Sequence, residues 1–366
     1  MMPLRNVLLG LATAVVFGAC PAAFAADLPP DVRTAGNAES LRGAIDEYVK
    51  KQVARLNDPD PKVSSAARDE LWRQTEPTPV VQPSASFQLI YVNSVLNSIA
   101  PVLKDADVAK RLNGAIIISK LAISTRSNSL QATVTQLLND PSPAIALWSI
   151  KAAGAILPTV LNLQMGAANQ QLTRGIVTAA GRHTAGPIIV ESYRALDQSQ
   201  VQPPLPPASL NIGTLAMLDV LDSRIKQYVT GVPADPHVDR EPMLYLGRSQ
   251  VYQAAAPNDR LRIVQTMFNM MSASGERAAE MPRGELRDRM FDVTENAAGA
   301  LQVQMNLSGN TAAAAAFNPL VRARSMAPNA IAPAVATALK TVQNAAAFKS
   351  LATPPAVEPV SEAAAK

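Results

Sequence analysis

Apolar residues recur at three- and four-residue intervals over most of this chain, the spacing that gathers them on one face of an α-helix. Ile212, Leu215, Leu218, Leu221, Ile225 and Tyr228 form one such stripe. Leu261, Val264, Phe268 and Met271 form a second, and Leu286, Met290, Val293, Ala297 and Leu301 a third. Residues 87–103 carry the same pattern. Alternating β-branched segments closed by Asn-Gly or Asp-Gly turns are missing, and such segments are what hairpins need. The expectation is an all-α fold. Each stripe is about one helix face wide, so every helix has to bury that face on a neighbour.

A repeated turn organises the first half. Leu56-Asn57-Asp58-Pro59-Asp60-Pro61-Lys62-Val63 returns as Leu138-Asn139-Asp140-Pro141-Ser142-Pro143-Ala144-Ile145, an offset of 82 residues. Between them stands a weaker copy, Leu103-Lys104-Asp105-Ala106-Asp107-Val108, and a fourth candidate follows at Gly186-Pro187-Ile188-Ile189. Half the offset is 41 residues, within the ~40 to 47 residues of paired-helix repeats. The chemistry fits a hinge: an apolar helix ends in Leu-Asn, Asp accepts the first amide protons of the next helix, and proline starts it.

These residues resemble HEAT-type repeats, in which two antiparallel helices join through an Asp-Pro turn followed by an apolar residue and small alanines. Here those are Val63, Ala66 and Ala67. The basic residue that such units favour after the apolar position is Ser64 in one copy and Ala146 in the other. The resemblance covers roughly residues 41–197. It implies a curved stack of helix pairs, a solenoid whose surface binds rather than catalyses.

Proline clusters mark the breaks. Residues 75–84 hold Pro77, Pro79 and Pro83 and read as a loop inside the array. Residues 198–209 hold Pro203, Pro204, Pro206 and Pro207 and read as a linker to a smaller helical region at 210–306. Residues 26–40 read as a linker before the repeats. Beyond 307 the text is Ala-rich with scattered Pro, the composition of a disordered tail, interrupted by the pattern of one helix at 330–348.

The N-terminus changes the address. Arg5, an apolar stretch over residues 7–19 and Ala23-Phe24-Ala25 before Ala26 have the layout of a secretory signal peptide cleaved after Ala25. The mature chain is then exported to the periplasm or cell envelope. The competing layout takes Phe17-Gly18-Ala19-Cys20 as a lipoprotein signal, with Cys20 acylated as a membrane tether. Cys20 is the one cysteine, so a disulfide framework or thiolate zinc site is excluded. The longest uncharged runs, 77–103 and 152–173, are broken by prolines and asparagines or by amides costly in lipid, and read as buried helix rather than membrane spans.

Charge narrows the partner. A net +4 from 33 Lys/Arg against 29 Asp/Glu lacks the basic excess of a phosphate-tracking surface, and aromatics at 4% offer few stacking platforms, so nucleic acid is disfavoured. Gly-rich phosphate loops, His-Glu-x-x-His helices, Gly-x-Ser-x-Gly elbows and dinucleotide fingerprints are absent from the sequence.

Four features carry alternatives. Asp235, His237, Asp239 and Glu241 alternate in a Pro-bounded loop and would ligate a hard or borderline divalent ion if they converged; the plainer reading is a solvated loop whose Asp caps the next helix. His183, with Glu191 as its carboxylate, would need a nucleophile to act as a general base, and otherwise caps a helix C-terminus. The segment 276–289 interleaves Arg277, Arg283, Arg287 and Arg289 with Glu276, Glu280, Glu285 and Asp288, a pattern of i,i+4 pairing rather than of lipid or polymer binding. Met267, Met270, Met271, Met281 and Met290 fill core or line a peptide groove.

The expected function is therefore a non-catalytic scaffold or adaptor of the cell envelope that holds a protein partner along the repeat surface, with no cofactor and no catalytic residue. The alternatives are a carboxylate-dependent hydrolase or lyase centred on the His237 loop, and a small-molecule or lipid carrier with an enclosed apolar cavity.

Overall fold

A computed structural model describes residues 28–359. The chain is all-α: among the described residues every regular element is an α-helix or a short 3-10 turn, and no strand occurs. A short α1 (Pro30–Thr34) leads into α2 (Arg42–Arg55), α3 (Pro61–Arg73), α4 (Ala85–Ile99) and α5 (Val108–Thr125). Then come α6 (Gln131–Leu137), α7 (Pro143–Asn162), α8 (Gly166–Arg182) and α9 (Gly186–Leu196). The longer α10 (Pro207–Thr230) is followed by the short α11 (Arg240–Leu246) and α12 (Ser249–Ala254), then by α13 (Pro257–Glu280) and α14 (Glu285–Leu307). α15 (Thr311–Ala315) and α16 (Ile331–Gln343) close the order. The expected stripes at 212–228, 261–271 and 286–301 fall inside α10, α13 and α14, with one departure: Leu286 is 38% exposed at the start of α14.

Packing runs between alternate helices. α3 lies on α5, α5 on α7 and α7 on α9, while α2 lies on α4, α6 on α8, and α8 on α10. The two rows touch through α2 with α3, α6 with α7 and α8 with α9. Beyond α9 the contacts continue: α10 packs on α13, and the turn Pro236–Asp239 bridges α9 to α14. α7 is the most apolar helix and, among the described residues, the one long and apolar enough to cross a membrane. It lies among α5, α6, α8 and α9 and buries Ile145, Ile150, Ile156, Leu157, Val160 and Leu161. Each of these contributes about 1.5–3 kcal/mol relative to exposure. Gly154 lets α9 come close, since a Cβ there would stand 2.9 Å from the Ala195 Cα.

The repeated turns have one construction. Asp58 Oδ1 accepts from the Asp60 amide at 2.9 Å, Asp105 Oδ1 from the Asp107 amide at 2.8 Å, and Asp140 Oδ1 from the Ser142 amide at 2.9 Å. Asp60 and Asp107 then cap α3 and α5 by accepting from the Lys62 and Ala109 amides. Leu56, Leu103 and Leu138, at the head of each copy, are buried. The side chain that turns the chain is thus fixed by its own sequence, and the leucine anchors that turn to the core.

Two expectations about irregular segments are corrected. Residues 28–40, read as a linker, hold α1 and a 3-10 turn, and Arg33 is buried, donating to the carbonyls of Gln74 at 3.0 Å and Glu76 at 2.9 Å. Residues 307–359, read as a disordered Ala/Pro tail with one helix at 330–348, are packed: α16 occupies 331–343, and Phe317, Leu320, Phe348 and Leu351 are buried. Small residues make this an asset rather than a defect, because they let α16 sit close on α13. A Cβ at Gly275 would meet the Ile331 Cγ2 at 2.9 Å. Residues 352–358 are led back over α10 and α13 by Gln265, paired to both backbone groups of Ala352, and by Arg277, which donates to the Glu358 carbonyl at 2.8 Å. The signal-peptide and Cys20 expectations lie outside the described residues.

Candidate functional site

The loop at 235–241 does not gather its four side chains. Asp239 is fully buried, whereas His237 is exposed and Glu241 turns outward to Arg194 at 3.5 Å. Among the described residues no group of three or more His, Cys, Asp or Glu side chains is placed to hold a metal ion. The divalent-ion arrangement is corrected accordingly: the loop enters a 3-10 turn at Pro236–Asp239, which carries Asp239 into the core and leaves Asp235, His237 and Glu241 at the surface.

What Asp239 does instead is complete a buried polar cluster. Arg224 on α10, 1% exposed, donates through Nε at 3.0 Å and Nη2 at 2.8 Å to the two carboxylate oxygens. The Tyr193 hydroxyl of α9 donates to Oδ1 at 2.7 Å, and the Tyr228 hydroxyl lies 3.0 Å from Oδ2. The remaining guanidinium protons reach the Ala234 carbonyl and Gln227. Burial and the neighbouring carboxylate hold both tyrosine hydroxyls well above the usual tyrosine range. Burial opposes the Arg224 charge, and Asp239 more than restores it, leaving the guanidinium pKa above its ordinary value. Buried and hydrogen-bonded on both carboxylate oxygens, the cluster ties α9, α10 and the loop together.

Asp235 supplies a cap at a distance. It sits in the left-handed region at φ +48°, and its Oδ2 accepts from the Gly186 amide at 3.2 Å. That amide precedes Pro187, just as the amides of Asp60, Asp107 and Ser142 precede Pro61, Val108 and Pro143. The fourth turn has no aspartate of its own, and a carboxylate 49 residues further along takes its place. A Cβ at Gly186 would stand 2.4 Å from the Asp235 Oδ2, so a side chain there would have to displace the Asp235 cap.

The other candidates resolve into structure. His183 is the C-terminal cap residue of α8, its amide donating to the Ala179 carbonyl, and its buried Nε2 has no hydrogen-bond partner among the described residues. Glu191 lies half-buried on α9 and makes no bond to His183. Met267, Met270, Met271 and Met290 are fully buried in the core, and Met281 packs partly buried against it, so they line no groove.

A more open feature is the outer face of the row α3, α5, α7. Both tryptophans of the chain lie on helices of this row, half-buried, each under a lysine: the Lys120 Nζ is 4.7 Å from the Trp72 ring centroid and the Lys151 Nζ 4.8 Å from that of Trp148. The Arg73 guanidinium lies 5.8 Å from the same Trp72 ring. Arg68 ties α3 to α5 through Asn113 at 3.2 Å. Ile123 is 50% exposed at the end of this face, beside an open groove of about 510 Å³ between α5, α7 and α9. Cation-covered aromatic surface of this kind has the makings of a protein contact, because aromatics supply area and the lysines direct it. The sequence names a repeat surface but no face of it, because which helices pack side by side is set by tertiary contacts.

Comparison with protein-family models finds no match, and comparison with curated proteins finds none.

Proposed function

We propose that the protein is an exported, non-catalytic scaffold: a HEAT-like solenoid that holds a protein partner along the row α3, α5, α7. The observation that carries the reading is that both tryptophans lie on helices of this row and each is covered by a lysine, Trp72 of α3 by Lys120 of α5 and Trp148 by Lys151 of α7. Four hinge turns built on the same amide, three with their own aspartate and one with Asp235, support the repeat reading. Arg111 adds to it. In the middle copy it occupies the position held by Ser64 and Ala146 in the others, and it reaches the Asp140 of the next turn at 2.9 Å. Arg182 continues that link by donating to the carbonyls of Asn139 and Asp140. Export rests on the residues before Ala26.

The test is site-specific photocrosslinking in cells with the full-length chain. A photoreactive residue at Ile123, on the proposed face, is expected to give a small reproducible set of adducts that Lys120→Glu and Lys151→Glu together remove. The same probe at Leu89 of α4, 55% exposed on the other row, serves as control. Equal adducts from both positions, or none from Ile123, would overturn the reading. Fractionation of the same cells is expected to place a chain beginning at Ala26 in the envelope, and a cytoplasmic full-length chain refutes export.

A further inference from the structure

The charged segment 276–289 looks balanced in sequence, one acid for nearly every arginine. In the fold the balance is uneven. Glu280 goes to Arg277 at 2.7 Å and Glu285 to Arg289 at 2.5 Å, while Glu276 accepts from Ser272. Arg283 is left exposed with no ion pair among the described residues, and Arg287 has only the Phe291 ring, 5.3 Å from its guanidinium. Both line an open cavity of about 680 Å³. A third guanidinium, Arg324, comes from the turn Leu320–Ser325 and lines the same cavity, held in place by Asp292 and by the Asp288 carbonyl. Phe291 and Met326 supply an apolar wall, and Asp288 is the one acid in the lining.

We propose that this cavity is a binding site for a small polyanion, a solute carrying phosphoryl or multiple carboxylate groups. Three guanidiniums from two segments, the head of α14 and the turn Leu320–Ser325, line one space, and two of them have no counter-ion of their own among the described residues. A guanidinium offers a planar fork that matches carboxylate or phosphate oxygens two at a time. The stacking of Arg287 on Phe291 and the anchoring of Arg324 fix two of the three forks in advance, which lowers the entropy lost on binding. The volume lies in the range of small-molecule sites. Gly284, at the head of α14, places the positive end of that helix at the rim and adds to the same field. The inference is independent of the partner-binding face, which lies on α3, α5 and α7.

The experiment is titration calorimetry of the full-length protein at low ionic strength with two probes, inorganic pyrophosphate and citrate. Saturable binding of either is expected, weakening as sodium chloride is raised. The stronger of the two identifies phosphoryl or carboxylate as the preferred chemistry. The double variant R283A/R287A is expected to lose at least tenfold in affinity, whereas K62A, which removes a distant exposed charge, leaves it unchanged. R287K keeps the charge but loses the fork, and is expected to fall in between. Circular dichroism melting shows whether each variant has kept its fold. Absence of binding by both probes, or equal loss in K62A, would overturn the proposal. So would binding to vesicles of anionic phospholipid without binding of either soluble anion, since that outcome describes a membrane surface rather than a solute site.

Discussion

Removing the Asp239 carboxylate is the sharpest perturbation the fold offers. Asp239 is 0% and Arg224 1% exposed, and the carboxylate accepts from the Arg224 guanidinium and from Tyr193, with Tyr228 against its second oxygen. Asp239→Ala leaves a guanidinium uncompensated in a dry interior, a defect that costs about 3–5 kcal/mol. For a chain of this length the entropy of unfolding is on the order of 0.7 kcal/mol per kelvin, so about 4 kcal/mol lowers the Tm by about 6 °C. Arg224→Met strands the carboxylate in the same way and is expected to cost about as much. The double variant R224M/D239L replaces both charges by apolar groups of similar size, and is expected to lie within about 1–2 kcal/mol of the natural protein. The assay is thermal and urea unfolding followed by circular dichroism, analysed as a double-mutant cycle. Two results would refute the reasoning: single variants costing under about 1 kcal/mol, or a double variant as unstable as the sum of the singles.

Three further outcomes follow from named contacts. Tyr193, Tyr228 and Tyr245 are each held above the usual tyrosine pKa, chiefly by burial. A raised folded value leaves stability unaffected below the unfolded value near 10 and removes it as pH rises further, by up to about 1.4 kcal/mol per pH unit for each tyrosine; Tyr245→Phe is expected to make urea midpoints between pH 9.5 and 11 less pH-dependent. Asp60→Ala, which removes the cap on α3, is expected to cost about 1 kcal/mol. Asp140→Ala is expected to cost more, because Arg111 loses its partner as well, and equal urea midpoints for the two would contradict that assignment. Gly154→Ala forces α7 away from α9 and is expected to destabilise by about 1–3 kcal/mol, whereas Gly181→Ala, with open space around its Cβ, is expected to stabilise α8 by up to about 1 kcal/mol.

Local signals were legible in the sequence because they act over a few residues. The stripes of α10, α13 and α14, the Asp-Pro turns before α3 and α7 and the weaker turn before α5 all rest on spacing and capping, which need no distant partner. The helical pattern at 330–348 was legible too and is α16, whereas the Ala/Pro composition around it read as disorder, because composition counts residues but not the neighbours that bury Phe317, Leu320 and Leu351.

What only the tertiary structure decided is which side chain meets which. Asp235, Asp239 and Glu241 are neighbours in sequence with one charge type, yet one caps a helix 49 residues back, one is locked to a buried arginine and one faces solvent. Arg283 and Arg287 look neutralised by adjacent acids until the helix turns those acids toward Arg277 and Arg289 and brings Arg324 in from another segment. Electrostatic partnership falls off with distance in space, not along the chain, so the sequence determines where helices begin and end, and the packing of those helices determines what their charges do.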